Sequence, residues 1–434
     1  MVPTPGVYNK VLAKQVAETI ASRVVTDASD ANILWATLPT LHEAVDAQRR
    51  VRGELEYPRD VILRSALVGP RFVRAGHAVA LMNTTNERLT LRPVLQEVAH
   101  RHGGRPRILR PAALHPSDIR ASWRRCARLE HGLLSEARAV GVTLDPASLR
   151  RRLLKAARAE ILLRHTLRRS GLRILLVSNQ HLSGHRAALR LASNSGMPTF
   201  YVPHAPVADN DMYRDLPVTT AALRGRLEVD HYSMLGAPRQ RLHSAGNPAV
   251  SQLAPPRYLN GPVVLALSSW PHDRMKAVID LVKHGIGGHT NVVVAPHPRN
   301  RRSAVRRLLP RGWSINSGRT LDLLAEGPRL LIQHSSGIAW EGLYVGVPTV
   351  QIQLDSEAPN YPLIAEPYVR TVRSAAELHE MAATLPEGID RAGLRDWALR
   401  WCATVGADAT RRIVDVLEDM PEDANLVLDA WSLH

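Results

Sequence analysis

The chain has 434 residues, too long for one ordinary core and suited to two domains of about 150–250 residues each. With 45% hydrophobic and 22% charged residues it is a folding sequence, and its two cysteines, Cys126 and Cys402, exclude a disulfide framework and a cysteine-built zinc site. The formal net charge is +16. No stretch approaches the ~18 apolar residues of a membrane span and the N-terminus lacks a signal-like apolar core, so a cytoplasmic location is expected.

Residues 1 to about 75 read as mixed helix and short apolar pieces without a motif, with a connector near ELEYPRD (54–60). HAVALMNTTN, from His77, turns abruptly from apolar to polar, as a buried strand opening into a loop does. Leu91, Val94, Leu95 and Val98 then recur at helical spacing, closed by Gly103 and Gly104, and a strand is expected at 107–109. Residues 116–170 read as almost entirely helical. LRILLVSNQ (172–180), the helix HRAALRLASNSG and TFYVPHA (199–205) make a parallel strand–helix–strand unit, with one more short strand expected at YSMLG (232–236).

A second series starts at Pro262. Strands are expected at PVVLALSS, at 291–298, at 329–336 and at 349–354, with helices MKAVIDLVKHG, TLDLLAEG and GIAWEGLYVG between them. Two helices close the chain, at roughly 374–385 and 390–418. The alternation argues for doubly wound parallel sheets, with the halves divided near 245–260, where SAGNPAVSQLAPPRYLNGP is rich in Pro, Gly and Ser. The domains are therefore expected at 1–250, with the helical segment 116–170 inserted, and at 251–434.

Charge is uneven. Between Arg101 and Ser170 there are seventeen Arg and Lys against five acids, a net excess of twelve. Such a block attracts an anionic acceptor or an anionic membrane surface, or is simply a solvated helix face. Only Trp123 interleaves with the arginines, so base stacking and nucleic-acid binding are not expected.

Four strings carry chemistry. HSSGIAWEGLYVGVPTVQI (334–352) places Ser335, Ser336 and Gly337 between a buried strand and a helix start. Free backbone N–H groups and hydroxyls there can hold a phosphate; a single serine could equally be an N-cap, but the whole string favours the phosphate. VVVAPHPRN puts His297, between Pro296 and Pro298, at the carboxyl edge of a strand, where an imidazole can donate to a phosphate oxygen or act as an acid. Arg299, Arg301 and Arg302 could supplement it. His204, in FYVPHAPVADND, follows a first-half strand in the same way and is a candidate general base, against a loop histidine of no special role. Asp209 and Asp211 nearby are a weak metal pair, and no metal site is expected. Gly246 and Asn247, in SAGNPAV, suit either a turn near a ligand or a hinge. No P-loop, G-x-G-x-x-G, H-E-x-x-H or G-x-S-x-G is present.

The order VPHA, GNP, PHP and SSGIAWEGLYVGVP resembles the GT-B-type superfamily that includes capsule polysaccharide transferases, CDP-glycerol glycerophosphotransferases and polysialyltransferases, over residues 172–354. The resemblance implies two Rossmann-like domains facing a cleft, here with an Arg-rich helical insertion in the first. It implies that His297, Ser335 and Ser336 hold the donor phosphate, with Pro298 and Gly337 of the same strings as further binding candidates, that His204 activates the acceptor, and that catalysis needs no bound metal or cofactor beyond a nucleotide-activated donor. Where the family's histidine is followed by Gly, this chain has Ala205. Glu341, one turn into the helix, would reach the donor ribose or stabilise the fold. The C-terminal string is also similar to UDP-GlcNAc 2-epimerases, whose His-Arg-Arg-Glu-Asn segment is replaced here by SSWPHDRM.

Three functions follow in order of support. The first is a cytoplasmic glycosyltransferase of polysaccharide biosynthesis, moving a sugar or glycerol-phosphate-like group to an acceptor hydroxyl, with peripheral membrane contact left open. The second is a UDP-GlcNAc 2-epimerase-like isomerase, and the third a non-catalytic basic binding protein.

Overall fold

Alternating apolar runs and amphipathic helices fold into two parallel-stranded sheets, one from each half of the chain. The computed structural model describes residues 16–26, 30–31, 33–38, 71–109, 116–167, 172–208, 213–214, 216–250, 255–268, 270, 272–287, 291–297, 300–334, 336–354, 368–384 and 390–421.

The first half contains β1 (Arg71–Ala75), β2 (Ala78–Met82), α1 (Thr85–Arg101), β3 (Arg107–Leu109), α2 (Pro116–Ala139), α3 (Pro146–Leu167), β4 (Ile174–Val177), α4 (Ser183–Asn194), β5 (Thr199–Tyr201), β6 (Thr220–Leu223), α5 (Arg226–Met234) and β7 (Leu242–Ser244). Its seven strands lie in the order β3-β1-β2-β4-β5-β6-β7. Strand β1 pairs antiparallel with both β2 and β3, turning into β2 through Gly76 at φ +56°. Because β1, which the sequence reading leaves unassigned, lies between them, β3 is one strand further from β2 than a simple βαβ unit would put it. YSMLG is not a strand: residues 232–234 end α5, where Val229 and Tyr232 are buried at helical spacing and Gly236 caps the turn at φ +99°.

The basic segment forms the two helices α2 and α3. They build a satellite core with helical residues 16–22 and 33–38, through Ile20, Ile33, Leu34, Leu129, Leu133 and Leu153. Part of the positive charge is neutralised within this layer. Fully buried Asp30 meets Arg125 (3.3 Å) and Arg128 (2.8 Å), Glu130 meets Arg150 (2.6 Å), and Glu160 meets Arg164 (2.6 Å).

The second half contains β8 (Gly261–Ala266), α6 (His272–Ile286), β9 (Val292–Ala295), α7 (Arg302–Leu308), β10 (Ser314–Ile315), α8 (Thr320–Ala325), β11 (Pro328–Gln333), α9 (Ile338–Tyr344), β12 (Thr349–Ile352), β13 (Arg370–Val372), α10 (Ala375–Thr384), α11 (Arg391–Trp401) and α12 (Gly406–Glu418). All six strands are parallel, in the order β10-β9-β8-β11-β12-β13. Numbered within this half the order is 3-2-1-4-5-6, and the direction of winding switches between β8 and β11.

The expected closing helix at 390–418 is two helices, broken at Cys402–Val405. Helix α11 stays with the second half, where Trp340 Nε1 of α9 donates to the Ala398 carbonyl at 3.0 Å. Helix α12, expected in the second domain, returns to the first. Its Ile413, Val414 and Leu417 pack with Val73, Ala80, Leu91 and Leu95. The break is needed because the chain must cross between the sheets there.

That crossing runs beside the first one. Asn247 N–H donates to the Thr404 carbonyl (2.9 Å), and Gly406 N–H to the Asn247 carbonyl (3.1 Å). A Cβ on Gly246, at φ +107°, would overlap the Thr404 carbonyl and come within 2.8 Å of Ala409 Cβ; one on Gly225 would overlap the Trp401 carbonyl. The Gly246–Asn247 turn therefore pairs the two crossings. Gly246→Ala should lower the thermal midpoint by roughly 10 °C, equivalent to about 3 kcal/mol or more. Gly103→Ala, at φ +66° with nothing within 4 Å of the new methyl, should cost only about 1–2 kcal/mol of backbone strain. Equal losses by differential scanning calorimetry would contradict the steric account.

Candidate functional site

In open α/β sheets, ligands sit at the carboxyl ends of the strands, at the switch in winding. In the second sheet three strand ends are in register there: Ala295 of β9, Ala266 of β8 and Gln333 of β11. The loops that follow are stitched together. Ser268 Oγ donates to the His334 carbonyl (2.6 Å), Asn300 Nδ2 to the Ser268 carbonyl (2.9 Å), and Asn300 N–H to the His297 carbonyl (2.8 Å). Trp270 packs edge-on against His334, with ring centroids 4.2 Å apart. His297 and Ser336 thus emerge from one rim; Pro298, Arg299 and Ser335 lie outside the described residues.

The serine turn is set from below by a buried amide pair. Gln333, 1% exposed, accepts from Ser336 N–H (2.7 Å) and donates to Gln351 on β12 (3.3 Å). Ser336 Oγ stands 3.5 Å from Ile338 N–H, a weak cap at the start of α9. The N–H of Ser336 is therefore already used, so among the described residues of this turn its hydroxyl and the Gly337 amide can face a ligand. Sequence reasoning missed Gln333 and Gln351. Their signal is a polar residue at the end of an otherwise apolar strand, in LLIQH and VQIQ.

Glu341 points into the junction between the halves. Burial raises its carboxyl to about 7, against the opposing pull of Arg224 and of its own backbone N–H. One carboxylate oxygen is enclosed without a hydrogen-bond partner.

The first sheet builds the facing rim from Glu87, Ser178–His181, His204 and Arg224, at the carboxyl ends of β2, β4, β5 and β6. Glu87 closes a capping box with Thr84 and accepts from Asn83 N–H (2.5 Å) and Thr84 N–H (3.1 Å). Its fully buried carboxylate lies 3.5 Å from fully buried His185 Nε2. Burial alone would raise Glu87, but His185 and the two amides hold it at about 2. His181 is pushed down to about 4, first by burial and then by His204, His185 and Arg186.

His204 Nδ1 meets the Ser178 carbonyl. A carbonyl only accepts, so the proton sits on Nδ1, and Nε2 carries the lone pair of a base. Burial lowers the pKa of His204, while the Ser178 bond and the Glu87 carboxylate act the other way. Asp209 and Asp211 lie outside the described residues.

The two rims touch. Pro206, two residues beyond His204, approaches Gly337 so closely that a Cβ there would sit 3.2 Å from Pro206 Cδ. The VPHAP loop and the serine turn, 130 residues apart in sequence, thus form the two lips of one cleft. Arg224, 5% exposed, lies where they meet and is coupled to His204, Glu228 and Glu341.

No protein-family model matches the chain, and no curated protein sequence does. Among solved structures it is similar to a putative UDP-N-acetylglucosamine 2-epimerase from Listeria monocytogenes, at 12% identity and TM-score 0.51, covering 80% of this chain and 98% of that one. UDP-GlcNAc 2-epimerase from Neisseria meningitidis aligns at 14% identity, TM-score 0.44, over 62% of this chain and 82% of that one. MurG from Acinetobacter baumannii aligns at 12% identity, TM-score 0.40, over 62% and 80%. At these identities the first likeness speaks to the fold: two Rossmann-like domains of GT-B type.

Glu341 gives a pH test. Between about pH 4.5 and about 7 the folded chain keeps a proton on Glu341 that the unfolded chain has lost, so this group subtracts stability as pH rises through that window. Glu341→Gln should melt above the parent at pH 8, by up to roughly 3 kcal/mol, with the gain vanishing near pH 4.5. Parallel melting curves across that range would contradict the burial of this carboxyl.

Proposed function

We propose that the chain is a nucleotide-sugar-dependent transferase, moving a sugar or glycerol-phosphate-like group from a nucleotide-activated donor to an acceptor hydroxyl. The observation that carries this reading is the contact between Gly337 and Pro206, which sets a phosphate-suited turn against a histidine whose base nitrogen is fixed. A cleft with hydrogen-bond donors on one lip and a base on the other suits group transfer from a phosphate leaving group.

In this reading the donor nucleotide lies on the second half, at the switch between β8 and β11. Its phosphate is held by the Ser336 hydroxyl, the Gly337 amide and His297, with Ser335 and Pro298 in the same loops. Glu341 takes the ribose hydroxyls. His204 Nε2 accepts the proton of the acceptor hydroxyl as its oxygen bonds to the transferred group. The bond from that group to the donor phosphate breaks, and the departing charge is met by the second rim, with His297 as hydrogen-bond donor or acid. Acceptor binding falls to the first half, where α2 and α3 supply the positive face for an anionic acceptor.

A thermal-shift series with CMP, CDP, UDP, GDP and dTDP tests the donor site. One nucleotide should protect the chain by several degrees, since about 2.7 kcal/mol accrues at 100-fold its dissociation constant. His297→Ala should lose most of that protection. His204→Ala should keep it while transfer falls by about 10²–10⁴-fold. No protection by any of the five would overturn the reading, and conversion of UDP-GlcNAc to its 2-epimer without an acceptor would replace it with an isomerase.

A further inference from the structure

One buried charge at the junction has no role in this scheme. Arg224 directly follows β6 and is 5% exposed. Its main chain is held from both sides: its N–H donates to Glu228 Oε2 (3.0 Å), and its carbonyl accepts from Ala403 N–H (2.9 Å) on the crossing before α12. The side chain is different. Its Nε is enclosed without a hydrogen-bond partner, and its guanidinium makes no hydrogen bond or ion pair among the described residues.

The carboxyls around it do not answer the charge. Glu228 is fully buried and directs its oxygens to the amides of Arg224 and Val207, and burial pushes its carboxyl toward the neutral form. Glu341 reaches the same region from the second half and is likewise pushed toward neutrality. Tyr201 and Cys402 also feel the Arg224 charge, and burial holds both in their uncharged forms. Asp30, by contrast, meets Arg125 and Arg128 directly. A guanidinium cannot release its proton, and a buried charge without a partner is costly. Among the described residues no side chain bonds the guanidinium, which leaves it open to a ligand anion.

We infer that Arg224 is an oxyanion-binding residue of this cleft, receiving a phosphate or carboxylate group of the bound donor from the first-half side. The identity of the ligand as a donor rests on the transferase reading; the need for an anion does not. Bound there, the anion would touch a residue of the first half while its nucleotide lies on the second, so it would bridge the two lips.

The test is protection of the ligand-free chain by inorganic pyrophosphate and by glucuronate, at constant ionic strength, in the parent, Arg224→Met and Arg224→Lys. Saturable protection of the parent by pyrophosphate assigns a phosphate, and by glucuronate a sugar carboxylate. Arg224→Met should weaken the effective anion by on the order of 30-fold or more, with Arg224→Lys between the two because it keeps the charge and loses the planar fork. Ligand-free Arg224→Met should melt no lower than the parent, since it removes an unpaired buried charge. A structural arginine would instead lower the melting temperature and leave anion binding intact, and that result overturns the inference, as does the absence of protection by either anion. Should Arg224→Met fail to fold, undiminished anion binding in Arg224→Lys overturns it alone. Equal nucleotide protection in parent and Arg224→Met would sink the role of Arg224 and leave the transferase standing. Pyrophosphate protection confined to the parent, with no nucleotide bound, would do the reverse.

Discussion

Two covalent crossings join the sheets, and both run where there is room for hydrogen and not for a methyl group. Gly225 lies against the Trp401 carbonyl, and Gly246 against the Thr404 carbonyl and Ala409. Because Asn247 bonds to Thr404 and Gly406, each crossing fixes the other. A third close approach, Gly337 against Pro206, then sets the distance between the lips. At the crossings the placement of the halves rests on backbone sterics and main-chain hydrogen bonds, and the apolar face of α12 on the first sheet adds to it. Side chains at the rims are left to serve chemistry.

The electrostatics of the cleft depend on that closeness. Glu341 and Glu228 are held toward neutrality by burial, and His204 is tied through Nδ1 to Ser178. Glu87, by contrast, is kept ionised by His185 and two amides, and it supports His204 from behind. One rim therefore offers a base nitrogen and the other offers donors. Between them stands Arg224, whose charge the described residues leave without a partner.

Much of the architecture is legible in the sequence, because buried parallel strands such as PVVLALSS and NVVVAPHP read as apolar runs ended by polar or Pro-rich turns. The motifs at His204, His297 and Ser336 stand out for the same reason: each follows such a run. What escapes is non-local. Strand β1 pairs antiparallel with both its neighbours, which its five residues do not announce, and β6 and β7 are too short to show a period. Helix α12 carries an ordinary amphipathic pattern that cannot say which sheet it will cover. The isolated charge of Arg224, in TAALRGR, becomes informative only once its burial is known. The arginine block reads as a surface, yet part of it folds inward onto Asp30, which Arg128 meets across 98 residues of sequence.

The most direct measurement is a crystal structure of the chain with the nucleotide that protects it best. The account predicts the phosphate within hydrogen-bond reach of Ser336, Gly337 and His297, the ribose at Glu341, and His204 Nε2 facing the transferred group across the cleft. A nucleotide bound away from the β8–β11 switch, or a rim pair separated with His204 turned from the ligand, would contradict it.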